Sequence, residues 1–231
     1  MPTKRTLTYI FISLLALAFF LPANAAKREE GEVRPLDTIP TWQGGNIKVD
    51  IGNTIYEMAV SGADRLSFEA ALNFNLKRRF FPTIEGGFAS AKHKVGNGAT
   101  YSGKGAFGRI GLDINCFKPE HKSVWLNLIL IGARVGFGTQ KYDTNDLSLH
   151  DVYWGDSRID FNGQVRTDVW VEVNASLQVN IYKGFTMGWG IRERILCTRG
   201  KKANVLPWYI PGYGVNKNAS FGFNYYIGYR F

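Results

Sequence analysis

Charged side chains recur at every second position within several apolar segments of this 231-residue chain, a spacing that could support chemistry. Successive side chains of a β-strand point to opposite faces, so such charges would share one face of a sheet. The set has six basic and six acidic members: Lys48, Arg109, Arg134, Arg192, Arg194 and Arg230, with Asp50, Glu69, Glu85, Asp113, Asp168 and Glu172.

Buried charges are costly unless they are paired and hydrogen-bonded. The balanced set therefore predicts a closed, salt-bridged interior rather than an open pore, and a narrow ion path along the charges is the alternative. We expect the charge network to comprise Glu69, Glu85, Arg109, Asp113, Arg134, Glu172, Arg192 and Arg230.

Three histidines, His93, His121 and His150, are the other candidates for chemistry. His150 precedes an aspartate, and Ser90 and Ser148 lie near two of the histidines, as a Ser/His/acid hydrolase would need. No G-x-S-x-G or other spaced motif supports catalysis, and no Cys/His spacing suits a metal. We therefore expect exposed loop histidines, no catalytic residues, no metal and no cofactor.

Apolar and polar residues alternate over eight segments, most regularly between Asp168 and Ile181 and between Ser220 and Phe231. The connections after the second, fourth and sixth segments are short, whereas the others are longer and include polar stretches at 95–104 and 141–166. Alternating strands with short turns at one end and long loops at the other are typical of outer-membrane barrels. The sequence predicts an all-β fold, an eight-stranded antiparallel up-and-down transmembrane β-barrel.

The N-terminal segment predicts export. Lys4 and Arg5 precede a short apolar run, and Ala23-Asn24-Ala25 fits a signal-peptidase pattern, although a single anchor helix is the alternative. We expect a signal peptide over 1–25 cleaved after Ala25, a flexible periplasmic lead-in over 26–44, and the barrel over 45–231. No later apolar run is long enough for a membrane-spanning helix.

The chain carries a formal net charge of +9, which is lowered to +7 when the two basic residues of the signal segment are removed. No basic helix or nucleic-acid motif accompanies this charge, so anionic lipid, including lipopolysaccharide, is the expected partner. Cys116 and Cys197 would lie at opposite ends of the barrel, which makes a disulfide between them the less favoured alternative.

Aromatic residues stand out in two long loops, Tyr153 and Trp154 in one and Trp208 and Tyr209 in the other. They could anchor at the lipid headgroups or form an external binding surface. The five aspartates between Asp143 and Asp160 lack the spacing of a calcium loop.

The final strand, with Tyr229 and Phe231, resembles the C-terminal insertion signal that the barrel assembly machinery of bacterial outer membranes reads. The whole mature chain resembles a Bacteroidota-type family of small outer-membrane β-barrels of unknown function, through 209–214 (YIPGYG), 224–229 (NYYIGY) and 153–155 (YWG). The resemblance implies a barrel in the outer membrane and carries no catalytic residues. We expect a structural or loop-mediated binding role, with a lipid-modifying enzyme, a narrow channel for small solutes or a soluble lipocalin-like carrier as alternatives.

Overall fold

The computed structural model describes residues 38–55, 64–94, 98–117, 127–151, 155–198 and 205–231. Its strands are β1 (Trp42–Asp50), β2 (Arg65–Leu76), β3 (Phe80–Lys94), β4 (Thr100–Asn115), β5 (Asn127–Asp151), β6 (Gly155–Tyr182), β7 (Phe185–Leu196), β8 (Tyr209–Ile210), β9 (Gly214–Val215) and β10 (Ala219–Arg230). Eight of them form a closed antiparallel barrel in the order β1-β10-β7-β6-β5-β4-β3-β2, and β8 pairs with β9 in a separate ribbon. The predicted all-β, eight-stranded antiparallel barrel is confirmed.

The alternation of residue types determines which side chains face inward. In β6, Trp170 and Glu172 are buried inside the barrel, whereas Val171 and Val173 between and beside them are exposed on the outside. The same division on the other strands gives the barrel an outer surface rich in exposed Phe, Ile, Leu and Val side chains. No helix among the described residues is long and apolar enough to cross a bilayer.

The two ends of the barrel differ in their connections. The turn end carries the tight turns at 77–79 and 183–184 together with Trp42 and Phe231, and the loop end carries the long connections before β2 and after β7. Lys77, Arg78 and Lys183 adopt positive φ angles of 50°, 58° and 41°, which such tight turns require. The connection after the fourth strand, which the sequence predicts to be short, falls on 116–126, of which 118–126 lie outside the described residues.

The loop end is uneven, because β3 to β6 rise higher than the other strands. We call this extension the loop-end wall; it consists of 92–94 of β3, 100–104 of β4, 141–151 of β5 and 155–167 of β6. Trp170 pairs with Leu196 of β7, and the Val169 carbonyl accepts a backbone hydrogen bond from the Cys197 amide. Beyond these residues, the strand pairing of β6 is with β5. The prediction of loops over 141–166 and up to residue 104 is therefore wrong, since β5 and β6 continue as a hairpin and β4 begins at Thr100. The segments at 100–104 and 141–166 are rich in polar residues because they project beyond the apolar outer surface of the barrel, where a strand does not need an apolar face.

The barrel closes between β1 and β10. Gly45 and Phe231 exchange two backbone hydrogen bonds, with the Gly45 amide donating at 2.9 Å and the Phe231 amide donating at 3.0 Å. β1 begins at Trp42, three residues before the predicted boundary, so 42–44 belong to the barrel and not to the lead-in. The Trp42 ring packs on Phe74 with ring centroids 5.9 Å apart, which accounts for the earlier start.

Candidate functional site

Arg109 lies at the centre of the barrel interior and contacts carboxylates from three other strands. Its guanidinium is 2.7 Å from Glu69 of β2, 3.0 Å from Glu85 of β3 and 2.8 Å from Glu172 of β6. All four side chains are buried, with relative exposures between 0% and 6%. The Arg109 guanidinium therefore links β4 to β2 and β6, which are not its neighbours in the barrel.

Two further arginines complete this charged core. Arg192 of β7 is 2.8 Å from Glu69 and 3.1 Å from Glu85, so it shares both carboxylates with Arg109. Arg134 of β5 pairs with Glu85 and lies 2.8 Å from Asp113 of β4. Seven of the eight residues expected in the network are therefore brought together in one buried cluster.

Arg230, the eighth expected residue, lies elsewhere. Arg230 pairs with Asn46 of β1. Asn46 lies four residues along β1 from Asp50, and Asp50 pairs with Glu69 of the charged core. Four residues of strand correspond to roughly 13 Å, so Arg230 is half-buried near the turn end and not part of the charged core. The expectation failed because alternation along a strand predicts which way a side chain points but not its height within the barrel.

A loop plug fills the mouth of the barrel at the loop end. It consists of residues 205–216, in which β8 and β9 pair through Tyr209–Val215 and Ile210–Gly214. Ile210 and Tyr213 have no exposed surface, and they pack with Trp170, Phe107 and other buried aromatic side chains. This segment is therefore part of the barrel core.

Tyr209 was expected on an external binding surface, and its exposure was wrongly predicted. The residue is only 3% exposed, and its backbone carbonyl accepts a hydrogen bond of 3.0 Å from the Tyr101 hydroxyl inside the barrel. This burial could not be predicted from the sequence, because a run of aromatic residues between prolines suits a membrane-surface loop and a plug equally well.

Arginines of the barrel hold the loop plug through its backbone. Arg109 donates to the Gly212 carbonyl at 2.6 Å, and Arg194 donates to the Tyr213 carbonyl at 2.9 Å. Gly212 has a φ of +76°, and a Cβ built on it would lie 2.5 Å from the Phe107 ring. Glycine is thus required here both by the backbone conformation and by the close contact.

Trp208 occupies the upper edge of the loop plug and is half-buried. Its ring stacks on His93 with centroids 4.0 Å apart, and the Arg65 guanidinium lies 5.7 Å from the ring centroid. His93 is therefore engaged by an aromatic partner. The predicted binding residues Tyr153 and Trp154 lie outside the described residues, as does His121.

Apolar side chains close the interior toward the turn end. Phe81, Leu128 and Leu130 form a buried cluster with relative exposures of 5%, 3% and 0%. Phe81 belongs to β3, and Leu128 and Leu130 belong to β5. The interior is thus occupied at three levels: the loop plug, the charged core and this apolar cluster.

A cavity of about 30 Å³ remains beside the charged core, lined in part by Lys48, Asp50, Asn224 and Tyr226. Because about 10–15 Å³ is enough for one water molecule, this space has room for ordered water. The Lys48 ammonium lies 4.5 Å from the centroid of the Tyr226 ring, and Asp50 accepts a hydrogen bond from Asn224. Sequence reasoning had placed Lys48 and Asp50 inside but had not connected them with Asn224.

The remaining candidates are distributed over the barrel ends. Tyr229 is exposed on the outer surface at the turn end, near Phe231. Cys116 follows β4 at the turn end and Cys197 follows β7 at the loop end, and both are free, exposed thiols. Within the described ranges, no group of three His, Cys, Asp or Glu side chains is arranged to hold a metal ion.

Comparison with solved structures gives matches of similar fold at low identity. Ail, the attachment invasion locus protein of Yersinia pestis, was solved with the heparin analogue sucrose octasulfate; it matches at 10% identity and a TM-score of 0.42, over 82% of this chain and 99% of Ail. Neisserial surface protein A (NspA) matches at 12% identity and a TM-score of 0.40, over 82% and 98% of the two chains. A second structure of Ail matches at 10% identity and a TM-score of 0.36, over 82% and 99%.

No curated protein matches the sequence. One family does match, over residues 6–231, and it is described as a domain of unknown function, DUF6048. Because this match covers nearly the whole sequence, the chain belongs to the DUF6048 family.

Proposed function

We propose that this protein is a small outer-membrane β-barrel with a sealed interior, which acts through its loop end as a structural or binding element. The observation that carries this proposal is the filling of the interior at three levels, by the loop plug, the charged core and the apolar cluster near the turn end. Eight strands leave an interior just wide enough for side chains to fill. Here side chains and one loop fill it.

The outer surface supports a membrane location. Phe88, Ile110 and Phe137 are 69%, 57% and 51% exposed on the barrel exterior. A continuous apolar exterior of this kind would cause a soluble protein to associate, whereas lipid chains would cover it in a bilayer. We therefore propose an outer-membrane position in which the turn end faces the periplasm and the loop end faces outward.

Migration in gels tests the barrel directly. Outer-membrane fractions should give a protein band whose mobility changes on boiling, since closed barrels resist unfolding by detergent in the cold. A mature protein that stays monodisperse in buffer without detergent would contradict the membrane proposal and favour the soluble-carrier alternative.

Planar-bilayer recording tests the sealed interior. The purified protein should give no discrete conductance steps, while an open general porin in the same bilayers gives them and shows that insertion is detectable. Regular steps from the wild-type protein would support the narrow-channel alternative and contradict the proposed seal.

We assign binding to the loop-end wall, because it projects beyond the apolar exterior and the charged core does not depend on it. Its Val165 and Ile159 side chains are 69% and 38% exposed. Since Thr144 and Phe161 are partners across β5 and β6, removing residues 145–160 and joining the strands by two glycines should leave the barrel intact. An unchanged urea midpoint in detergent is the expected result; a large loss of stability would mean that the wall serves the barrel itself.

A further inference from the structure

Three lysines face outward at the upper edge of the apolar exterior, on adjacent strands. Lys104 of β4 lies directly opposite Lys141 of β5, and Lys92 of β3 lies opposite Ser102, two residues from Lys104. All three side chains are exposed. The register therefore brings three ammonium groups onto one patch, which we call the lysine patch.

This arrangement is unfavourable for the isolated protein. Like charges directly opposite each other on neighbouring strands destabilise a sheet. Among the described residues, no carboxylate lies within ion-pair distance of any of the three lysines. The nearest acidic residue on that face of β5 is Asp143, and its carboxylate accepts a hydrogen bond of 2.6 Å from the Gly163 amide.

The height of the lysine patch matches the edge of a membrane. Ile114 and Lys104 both face outward on β4 and are ten residues apart, which corresponds to roughly 33 Å along the strand. At the usual strand tilt, this is a height of about 25 Å along the barrel axis. That distance equals the height of the lipid-facing band of such barrels, about 25 Å. Lysines at its upper edge extend their ammonium groups to the level of the lipid headgroups.

On the opposite side of the barrel, the described part of β7 carries an outward-facing charge of the other sign. There Glu193 of β7 faces outward between Val173 of β6 and Phe221 of β10, and the register aligns it with Ala133 of β5, eight residues below Lys141. The lysine patch therefore lies on the face formed by β3, β4 and β5.

We propose that Lys92, Lys104 and Lys141 form a binding site for the phosphate groups of an anionic lipid in the outer leaflet, whose acyl chains lie against Phe88 and Phe137. This inference rests on the proposed outer-membrane position with the loop end outward. The lipid supplies a counter-charge that the described carboxylates do not, and the apolar surface directly below the patch provides the contact for its acyl chains.

Native mass spectrometry of the detergent-solubilised full-length protein tests this site with diphosphoryl lipid A, monophosphoryl lipid A and inorganic pyrophosphate as probes. The wild type should bind the diphosphoryl lipid more tightly than the monophosphoryl lipid. The variant Lys104→Gln/Lys141→Gln should lose about 30-fold in affinity, as two lysines near an anionic surface contribute roughly this much together. Lys183→Gln, in the turn at the other end of the barrel, is the matched control and should bind like the wild type.

Stability provides a second measurement on the same variants. In neutral detergent, Lys104→Gln/Lys141→Gln should unfold at a higher urea concentration than the wild type, because the like-charge pair is gone. In micelles containing lipid A the order should reverse. If diphosphoryl lipid A binds the variant and the wild type equally, the lysine patch is not its site.

Competition by millimolar pyrophosphate would identify a site for free phosphate and overturn the lipid assignment. Equal loss of binding in Lys183→Gln would show a non-specific charge effect and also overturn it. In each of these cases, heat-modifiable migration separates the lipid-site proposal from the outer-membrane proposal. If the variants still show it, only the lipid site is contradicted. If the wild type lacks it, the outer-membrane proposal itself is contradicted.

Discussion

Arg109 donates a 2.6 Å hydrogen bond to the backbone carbonyl of Gly212, and this bond joins the charged core of the barrel to its loop plug. The same guanidinium contacts Glu69 at 2.7 Å and Glu172 at 2.8 Å. One buried side chain therefore neutralises carboxylates from opposite sides of the barrel and holds the loop that covers them. Loss of Arg109 should therefore affect both the charged core and the loop plug.

Arg109→Met should lower the free energy of unfolding by about 3–5 kcal/mol, because removing one partner leaves buried carboxylates without their counter-charge. The measurement is urea unfolding in detergent micelles. The matched control is Arg158→Ala, whose ion pair with Asp146 is 3.6 Å long and lies on the surface, 74% and 54% exposed. That control should cost less than about 1 kcal/mol.

A double variant distinguishes charge from packing in that result. Glu172→Gln removes one of the carboxylates that Arg109 neutralises, so Arg109→Met/Glu172→Gln should recover part of the lost stability. A double variant that is less stable than the sum of the single variants would mean that the ion pairs are not the cause.

Gly212→Ala should loosen the loop plug. Alanine at a φ of +76° is strained, and its Cβ would lie 2.5 Å from the Phe107 ring. Trypsin cleavage after the exposed Lys217, followed by mass spectrometry, should become about tenfold faster, since overpacking of this kind costs about 1–3 kcal/mol. Gly155→Ala is the control, because its φ of +73° carries similar strain and nothing lies within 4 Å of the added Cβ. Equally fast cleavage in Gly212→Ala and Gly155→Ala would show that backbone strain, and not the contact with the Phe107 ring, causes the faster cleavage.

The two native thiols report the orientation of the barrel. Cys197 is exposed at the loop end and Cys116 at the turn end. With the loop end outward, a membrane-impermeant maleimide added to intact cells should label the wild type and Cys116→Ser but not Cys197→Ser. Labelling that depends on Cys116 instead would show the reverse orientation, and both variants should react equally after the cells are lysed.

Phe231 can be tested as a targeting residue separately from its part in barrel closure. Deleting Phe231 removes the two backbone hydrogen bonds to Gly45, whereas Phe231→Ala keeps them and removes only the ring. If the ring is read during assembly, both variants should give less heat-modifiable protein in the outer membrane. Purified Phe231→Ala should still refold in detergent like the wild type. Normal outer-membrane levels of Phe231→Ala would limit the role of Phe231 to closure.

The inside and outside of the barrel could be predicted from sequence because alternation alone determines them. Val171 and Val173 face out and Glu172 faces in, as the period of two requires. The seven residues of the charged core face inward for the same reason. Their pairing partners could not be predicted, because Arg192 and Glu69 are brought into contact by the curvature of the closed sheet and not by any local spacing.

The loop plug and the loop-end wall could not be predicted by the same rule. Tyr213 is fully buried because its loop folds back into the barrel, and alternation carries no information about such a return. The hairpin above Tyr142 has polar side chains on both faces, so its strands gave no periodic signal. Strand periodicity identifies a segment only where the two faces meet different surroundings.

The charged core has a consequence for the order in which the barrel assembles. Arg192 of β7 pairs with Glu69 of β2, and Arg109 of β4 pairs with Glu172 of β6, so the partners belong to strands that an open sheet keeps apart. During closure, these charges would lose their hydration before their partners come into contact, unless dehydration and ion pairing occur together. We therefore expect the joining of β1 to β10 and the neutralisation of the interior to occur as one cooperative step.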